Sequence, residues 1–249
     1  MTRHLARAHA SFAAVLAGGV WFASAAHATG APTSTVSPLP AAFAPHAIAG
    51  GVIAGDDGND AATYTIADGT LVDVVIAADV GAAAVHGNAI DGAGDVAGTL
   101  DDGDGTTHAF VWLAGSAVDA IVVLHGDEAN GIDDAGDVVG AAGGVPVLWP
   151  AGALDPGALP FAETTGTALC ISGDGATIAG DSDAHSVAWS IAVSTSLFVE
   201  STLDVDMPSV SPLGCGDRII VGSVVESGVS APFLFHADFD GHTGAPIGY

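Results

Sequence analysis

The stretch that decides the fold is Ala82–Leu124, which reads AAAVHGNAIDGAGDVAGTLDDGDGTTHAFVWLAGSAVDAIVVL. It contains short apolar runs separated by Gly, Asp and Ser residues, which favour tight turns. Apolar runs of about four to eight residues between such turns are typical of antiparallel strands, and no segment shows the periodicity of a helix. The sequence therefore predicts strands at Ala84–Ile90, Asp95–Leu100, His108–Leu113 and Ala117–Leu124.

The same pattern returns along most of the chain. A short apolar strand that ends in glycine occurs five times, and the successive glycines lie 43, 42, 40 and 42 residues apart. A further strand follows each glycine and carries one aromatic residue, at a distance of 9, 14, 9, 9 and 13 residues. The glycines are Gly55, Gly98, Gly140, Gly180 and Gly222, and the aromatics are Tyr64, Trp112, Trp149, Trp189 and Phe235.

Four strands in roughly 42 residues correspond to one blade of a β-propeller, whose blades pack face to face around an axis. The sequence therefore predicts an all-β, repeat-built β-propeller, with five blades of about four antiparallel strands. A β-solenoid is the alternative, although its coils are shorter and its strands are parallel. In the propeller, we expect each repeated glycine to avoid a clash with the neighbouring blade near the axis. We expect the aromatic residues to fill the space between blades.

The N-terminus has the organisation of a secretory signal peptide. Arg3 and Arg7 precede an apolar run over Ser11–Ala25, and Ala26-His27-Ala28 provides a small-x-small cleavage site. A membrane anchor is the alternative, but the run is shorter than the ~20 residues that span a bilayer. We predict a signal peptide at residues 1–28, a Pro/Ser/Thr-rich linker or arm at 29–45 and a repeat β domain at 46–249. The expected location is periplasmic or secreted, with no membrane span after signal removal.

The charge balance excludes two classes of partner. The chain has 3 Lys and Arg residues against 29 Asp and Glu residues, and its formal net charge is −26. Such a surface repels nucleic acid and anionic membranes, which are bound through Lys and Arg. Acidity can also indicate disorder, but 49% of the residues are hydrophobic and they recur at regular positions. The sequence therefore predicts a folded protein with acidic turns.

Part of the repeat resembles a known family. The segments Ala89–Gly98 and His108–Trp112 resemble the "HAF" repeat, a family of bacterial proteins regarded as extracellular and named for its His-Ala-Phe motif. The repeat of that family is similar to Ile-Asn-x-x-Gly-x-Val-Val-Gly followed by His-Ala-Phe-Leu-Trp. The next unit keeps the first half at Asn130–Gly140, but has Pro146–Trp149 in place of the second. The resemblance implies export and a repetitive β fold, and it implies no known reaction.

The Asp/Gly loops suggest calcium. Asp101, Asp102 and Asp104 surround Gly103, and calcium prefers several carboxylate oxygens on a tight turn that contains glycine. The alternative is that these loops are solvated hairpin turns, because none of them has the full calcium-loop pattern. Similar acidic loops occur elsewhere in the sequence, at Asp56–Asp60, Asp181–Asp183 and Asp238–Gly241.

Cys170 and Cys215 fall in adjacent repeats. An even number of cysteines in an exported protein favours a disulfide, which would join the last two blades. The chain contains no His-Glu-x-x-His pattern, so its histidines do not suggest a zinc site. His108 is most simply a strand residue that anchors a turn by hydrogen bonding.

The functional hypotheses depend partly on the motifs that the sequence lacks. The chain has neither a Gly-x-Ser-x-Gly elbow nor a Walker loop. The sequence favours an exported non-catalytic binding or structural β-repeat module for an unknown extracellular ligand, glycan or protein. Two alternatives stay open. One is an extracellular polysaccharide-active enzyme that uses carboxylates on the axial face. The other is a calcium-dependent surface adhesin.

Overall fold

The computed structural model describes residues 15–16, 19–20, 38–160, 165–182, 186–192, 197–202, 210–216, 219–226 and 229–236. The chain divides into two compact units, Met1–Phe43 and Ala44–Tyr249. In the first unit, β1 (Val15–Leu16) pairs with β2 (Gly19–Val20) in antiparallel fashion. The predicted signal peptide and linker otherwise lie largely outside the described residues. No described helix is long and apolar enough to cross a membrane.

The repeat region is a five-bladed β-propeller, as the sequence predicts. Each blade is an antiparallel sheet whose strands pair in chain order, and the short helix α1 (Ala77–Val80) connects the first blade to the second. Blade 1 contains β3 (Phe43–Ala49), β4 (Val52–Asp57), β5 (Asp60–Thr65) and β6 (Thr70–Val75). Blade 2 contains β7 (Ala84–Ile90), β8 (Val96–Asp101), β9 (Thr107–Trp112) and β10 (Ile121–Val123). Blade 3 contains β11 (Glu128–Ile132), β12 (Val138–Ala142), β13 (Val145–Trp149) and β14 (Gly157–Ala158). Blade 4 contains β15 (Gly166–Ile171), β16 (Thr177–Ser182), β17 (Ser186–Ala192) and β18 (Leu197–Thr202). Blade 5 contains, within the described residues, β19 (Val210–Gly216), β20 (Ile219–Glu226) and β21 (Val229–His236).

The register of the second and third strands is the same in all five blades. Each repeated aromatic position pairs with the residue that lies two positions before the repeated glycine. The pairs are Ile53–Tyr64, Val96–Trp112, Val138–Trp149, Ile178–Trp189 and Ile220–Phe235. The unequal spacing in the sequence is therefore absorbed entirely by the hairpin between these strands, where insertions do not disturb the pairing.

The tryptophans fill the space between blades, as expected. Trp112 packs with residues of blade 1 such as Val75, and Trp149 packs with residues of blade 2 such as Val111. Trp189 belongs to the cluster between blades 3 and 4. Trp149 and Trp189 are 1% and 0% exposed. Because large aromatic rings bury much apolar area, these contacts are a main source of cohesion between successive blades.

The repeated glycine does not avoid a clash with the neighbouring blade, as was predicted, but a clash within its own blade. A Cβ at Gly140 would overlap the carbonyl oxygen of Glu128, which lies on the first strand of the same blade, not on the neighbouring one. Gly98 and Gly180 face a first-strand carbonyl in the same way. In these blades the glycine pairs with the residue just before a β-bulge in the first strand. The bulge kinks that strand, and the close approach of its backbone leaves no room for a side chain.

Two predicted boundaries also need correction. Strand β3 begins at Phe43, so the first blade includes residues that the sequence assigned to the linker at 29–45. The outer strand of blade 2 covers only Ile121–Val123 instead of Ala117–Leu124. The residues before it form a turn in which Asp119 has a φ of 63° and its Oδ1 accepts the Ile76 N–H at 2.6 Å. This contact with the blade 1 connection outweighs the β propensity of the sequence.

Buried acids organise the turn between the first and second strands. Asp133 is 2% exposed, and its Oδ1 accepts the backbone N–H groups of Ala135 and Asp137 at 2.9 and 2.8 Å. Asp91 has the equivalent role in blade 2. Burial raises the pKa of Asp133, although the backbone N–H bonds oppose that rise. The folded state therefore favours the protonated form of this carboxyl group more than the unfolded chain does.

We predict that Asp133→Asn reduces the loss of stability with rising pH. Stabilisation from a group with a raised pKa is present below its unfolded value, about 4, and is lost as pH rises through the folded value. Asparagine keeps an oxygen acceptor for the two N–H groups and carries no charge. The check is a series of thermal melts between pH 3 and 7, comparing the variant with the parent chain.

The exposed Asp104 provides a control of opposite sign. The backbone and side-chain hydrogen bonds of Thr106 lower the pKa of Asp104. Its contribution is therefore present above the unfolded value and is lost as pH falls through the folded one. If Asp133→Asn and Asp104→Asn changed the pH dependence of the melting temperature in the same direction, the raised pKa assigned to Asp133 would be contradicted.

Candidate functional sites

Polar side chains near the axis connect one blade to the next. The first strands β7, β11, β15 and β19 contact one another in sequence, which places them innermost in the propeller. We call the polar side chains on and beside the first strands the axial polar ring. Its members are His46, Asp56, His86, Asn88, Thr99, Glu128, Asn130 and Thr167.

Asp56 connects blades 1 and 2. Its Oδ2 lies 2.8 Å from His86 Nδ1 and 3.5 Å from His46 Nε2, and its Oδ1 accepts the Gly87 N–H at 3.0 Å. The side chain of Asp56 is 12% exposed, whereas those of His46 and His86 are 34% and 41% exposed. Because an ionised carboxylate only accepts hydrogen bonds, His86 Nδ1 carries the proton of this pair. Asp56 is thus a buried acceptor shared by β3 of its own blade and β7 of blade 2.

Two asparagines continue the ring. Asn88 Nδ2 donates to the carbonyl oxygen of Ala129 in blade 3 at 2.9 Å. Asn130 Nδ2 donates in the same way to the carbonyl oxygen of Ala168 in blade 4 at 3.2 Å. Both asparagines occupy the bulge of their first strand, which turns the side chain towards the next blade.

The remaining carboxylate of the ring is also engaged. Thr167 Oγ1 donates to Glu128 Oε1 at 2.7 Å and accepts from Asn130 Nδ2 at 3.2 Å. Asp56 and Glu128 therefore each accept a hydrogen bond from the neighbouring blade. This ring was not predicted from the sequence. The available signal was that Asn88 and Asn130 occupy the same position in successive repeats.

The predicted calcium residues behave as turn residues. Asp101 Oδ1 accepts the N–H two positions further on at 2.7 Å, and Asp104 Oδ1 accepts the Thr106 N–H at 2.9 Å. Asp102 Oδ2 lies 3.2 Å from His108 Nε2, so this histidine anchors the turn. No group of three His, Cys, Asp or Glu side chains within the described parts of the chain is placed to hold a metal. Calcium at Asp101, Asp102 and Asp104 stays a prediction, and the loop at Asp238–Gly241 lies outside the described residues.

Cys170 and Cys215 form a disulfide. It links β15 of blade 4 to β19 of blade 5, with the two Cα atoms 5.5 Å apart and 45 residues between the positions in sequence. Cys170 and Cys215 pack against the apolar cluster that contains Ala188 and Ile220. The bond lies at the next boundary after those that Asn88 and Asn130 bridge, so a covalent link follows two hydrogen-bonded ones.

An apolar cleft of about 240 Å³ lies between blades 2 and 3. Its walls include Val111, Leu113 and Val122 from blade 2 and Ile132, Val138 and Trp149 from blade 3. The loop 150–153, which reads Pro-Ala-Gly-Ala, forms part of the lining, and its small side chains leave the space open. The acid at the cleft is Asp95, whose Oδ1 already accepts the Ala114 N–H at 2.7 Å. The cleft is therefore shaped for an apolar group.

The chain matches no protein-family model and no curated protein sequence. Among solved structures, it is similar to TolB from Acinetobacter baumannii, with a TM-score of 0.50 and 16% sequence identity. The similarity covers 80% of this chain and 52% of the TolB chain, so the chain spans about half the length of that protein. At this identity the likeness shows the fold alone, and it agrees with the sheet topology in placing the chain among the β-propellers.

Proposed function

We propose that this protein is an exported, non-catalytic binding module whose ligand site is the cleft between blades 2 and 3. The carrying observation is that this cleft is already open and apolar in the structure, as ligand sites usually are. The N-terminal pattern of Arg3, Arg7 and the apolar run supports export. The resemblance to HAF repeats supports the same location, and we extend the proposal to membership of that family.

The state of the axial carboxylates argues against the polysaccharide-active alternative. A glycosidase needs two carboxyl groups that face the substrate on either side of the scissile bond. Asp56 is held by two imidazole rings and a backbone N–H, and Glu128 is held by Thr167. These contacts join adjacent blades, so we assign both acids to stabilisation of the propeller.

The test combines a binding screen with an activity screen on the exported full chain. A library of neutral small molecules is screened by thermal shift, and a panel of extracellular polysaccharides is screened for released reducing ends. We expect at least one saturable ligand and no turnover. Mass spectrometry of the exported protein should give a mature N-terminus at Thr29.

The variants Asp56→Asn and Glu128→Gln separate the two functions. In a binding module they lower the melting temperature, because they weaken contacts between blades, and they leave ligand affinity unchanged. Turnover of a polysaccharide by the parent chain that either variant abolishes while it remains folded would show the enzyme instead.

A further inference from the structure

The cleft between blades 2 and 3 continues into exposed apolar surface. Leu113 and Val122 belong to its walls, yet they are 47% and 40% exposed. Leu154, which directly follows Ala153 of the lining, is 44% exposed. Large aliphatic side chains that stay half-exposed around an open apolar cleft are typical of a surface that another molecule covers. The cleft therefore has the apolar part of a docking site.

One carboxylate from each of the two blades lies at this cleft. Asp95 of blade 2 lines it, and its Oδ1 accepts the Ala114 N–H at 2.7 Å. Asp137 is the equivalent residue of blade 3, and its Oδ1 accepts the N–H of Ala151, which lines the cleft, at 2.7 Å. Both hydrogen bonds are exposed, and among the described residues each carboxylate makes its hydrogen bond through one oxygen only. The second oxygen of each acid can therefore pair with a cation at the edge of the cleft.

The described part of the chain supplies no cation to these two acids. Neither Lys nor Arg occurs in the sequence between Arg7 and Arg218. The histidine–carboxylate contacts that the structure describes involve Asp56, Asp102 and Asp155 instead. With a formal net charge of −26, the chain attracts cations and repels anions over long distances. A partner that carries Lys or Arg beside an apolar group is thus complementary both to the cleft and to the acids at its edge.

Two other occupants fit the cleft less well. A second copy of the chain would bring the same excess of 29 Asp and Glu over 3 Lys and Arg, and like charges across an interface oppose association. The cleft has a volume of about 240 Å³, whereas an apolar cavity of about 150 Å³ already holds benzene, so one aromatic ring fits. A free ring of that size would leave Leu154 uncovered outside the lining. A polypeptide that continues on both sides of the ring can cover this side chain too.

We propose that the cleft between blades 2 and 3 is the docking site of a basic polypeptide, which inserts one aromatic side chain between the blades and pairs flanking Lys or Arg residues with Asp95 and Asp137. This inference rests on the proposed binding function and specifies the partner. The inserted ring supplies most of the affinity, because binding energy at interfaces is concentrated in a few buried anchors, among which aromatic residues are enriched. The exposed acids mainly accelerate association and select against acidic partners.

The experiment selects peptides from a random library displayed on phage, with the full exported chain as the target. Polylysine is the control ligand for unspecific attraction to the acidic surface. We expect the enriched peptides to share one aromatic residue with Lys or Arg on both sides. The affinity of the best peptide is then measured by fluorescence anisotropy. Replacing its aromatic residue with alanine should weaken binding at least about 10-fold.

Variants of the protein locate the site. Asp95→Asn and Asp137→Asn keep an Oδ1 acceptor for the Ala114 and Ala151 N–H groups but remove the charge, so each should weaken the selected peptide about 2- to 5-fold. Asp104→Asn is the matched control, because it removes the same charge from the exposed hairpin at the far end of β8, and it should leave the affinity unchanged. Ala151→Leu adds apolar volume at an exposed position of the lining. It should weaken the peptide about 5-fold or more and leave polylysine binding unchanged. A thermal melt verifies that each variant is folded.

The outcomes separate this inference from the proposed function. Enrichment of peptides without an aromatic residue, or equal effects of Asp95→Asn and Asp104→Asn, would overturn the inference, since attraction to the net charge would then explain the binding. A selected peptide whose affinity is unchanged by Ala151→Leu would also overturn it. Neutral small-molecule binding that Ala151→Leu weakens, without any enriched peptide, would overturn the proposed partner and retain the proposed binding site. Absence of every ligand from the cleft, or polysaccharide turnover that depends on Asp56, would overturn the proposed function itself.

Discussion

We expect Gly140→Ala to be one of the most destabilising single methyl additions in the chain. The new Cβ would overlap the carbonyl oxygen of Glu128, which belongs to the paired first strand and is held by its bulge. Relief requires movement of two backbones rather than of one side chain. Overpacking of this kind costs about 3 kcal/mol, which lowers the melting temperature by roughly 6–12 °C in a chain of this size. Thermal melts and urea titrations measure the loss.

Gly157→Ala is the matched control. Gly157 is also a strand glycine, but it is exposed, and a Cβ there would only touch the Leu148 carbonyl oxygen at 3.9 Å. Alanine at such a position restricts the unfolded chain, so the variant should have nearly unchanged or slightly raised stability. A loss at Gly140→Ala no larger than that at Gly157→Ala would contradict the bulge explanation for the repeated glycine.

We expect removal of the disulfide to be at least as costly. The bond between Cys170 and Cys215 closes a loop with a sequence separation of 45 residues. Chain-entropy arguments give about 4 kcal/mol for a loop of that length. The double variant Cys170→Ala/Cys215→Ala should therefore melt roughly 8–16 °C lower than the oxidised parent. The measurement is a thermal melt of both proteins under non-reducing conditions.

Reduction supplies the control for this comparison. The parent chain in excess reductant should approach the melting temperature of the double variant, and reductant should leave the double variant unchanged. Two thiols that react freely in the unreduced parent would show that the bond does not form in solution and would contradict this prediction.

The repeat made most of the fold predictable. Trp112 lies 14 residues after its glycine and Trp149 lies 9 after its own, yet both occupy the same rung of the ladder. The sequence shows that relation because an insertion in a hairpin loop leaves the paired strands recognisable. Because the repeats are recognisable in the sequence, the two cysteines could also be assigned to adjacent blades.

Contacts between residues far apart in the sequence were harder to predict. The glycine was recognised, but the carbonyl that excludes a side chain there follows from a bulge on the partner strand. The strand predicted at Ala117–Leu124 shortened because Asp119 is held by the Ile76 N–H of the preceding connection. Local propensity carries no information about such partners, since they are brought close only when the blades pack.

The amino-acid sequence alone determined the repeat, the all-β class, the number of blades and the acidic surface, because each of these depends on periodicity or composition. The tertiary structure decided which polar groups have partners. Asn88 gains the Ala129 carbonyl across a blade boundary, whereas Trp149 Nε1 is buried without an acceptor among the described residues. Hydrogen bonds are satisfied in three dimensions, and the open cleft beside Trp149 exists only in the packed propeller.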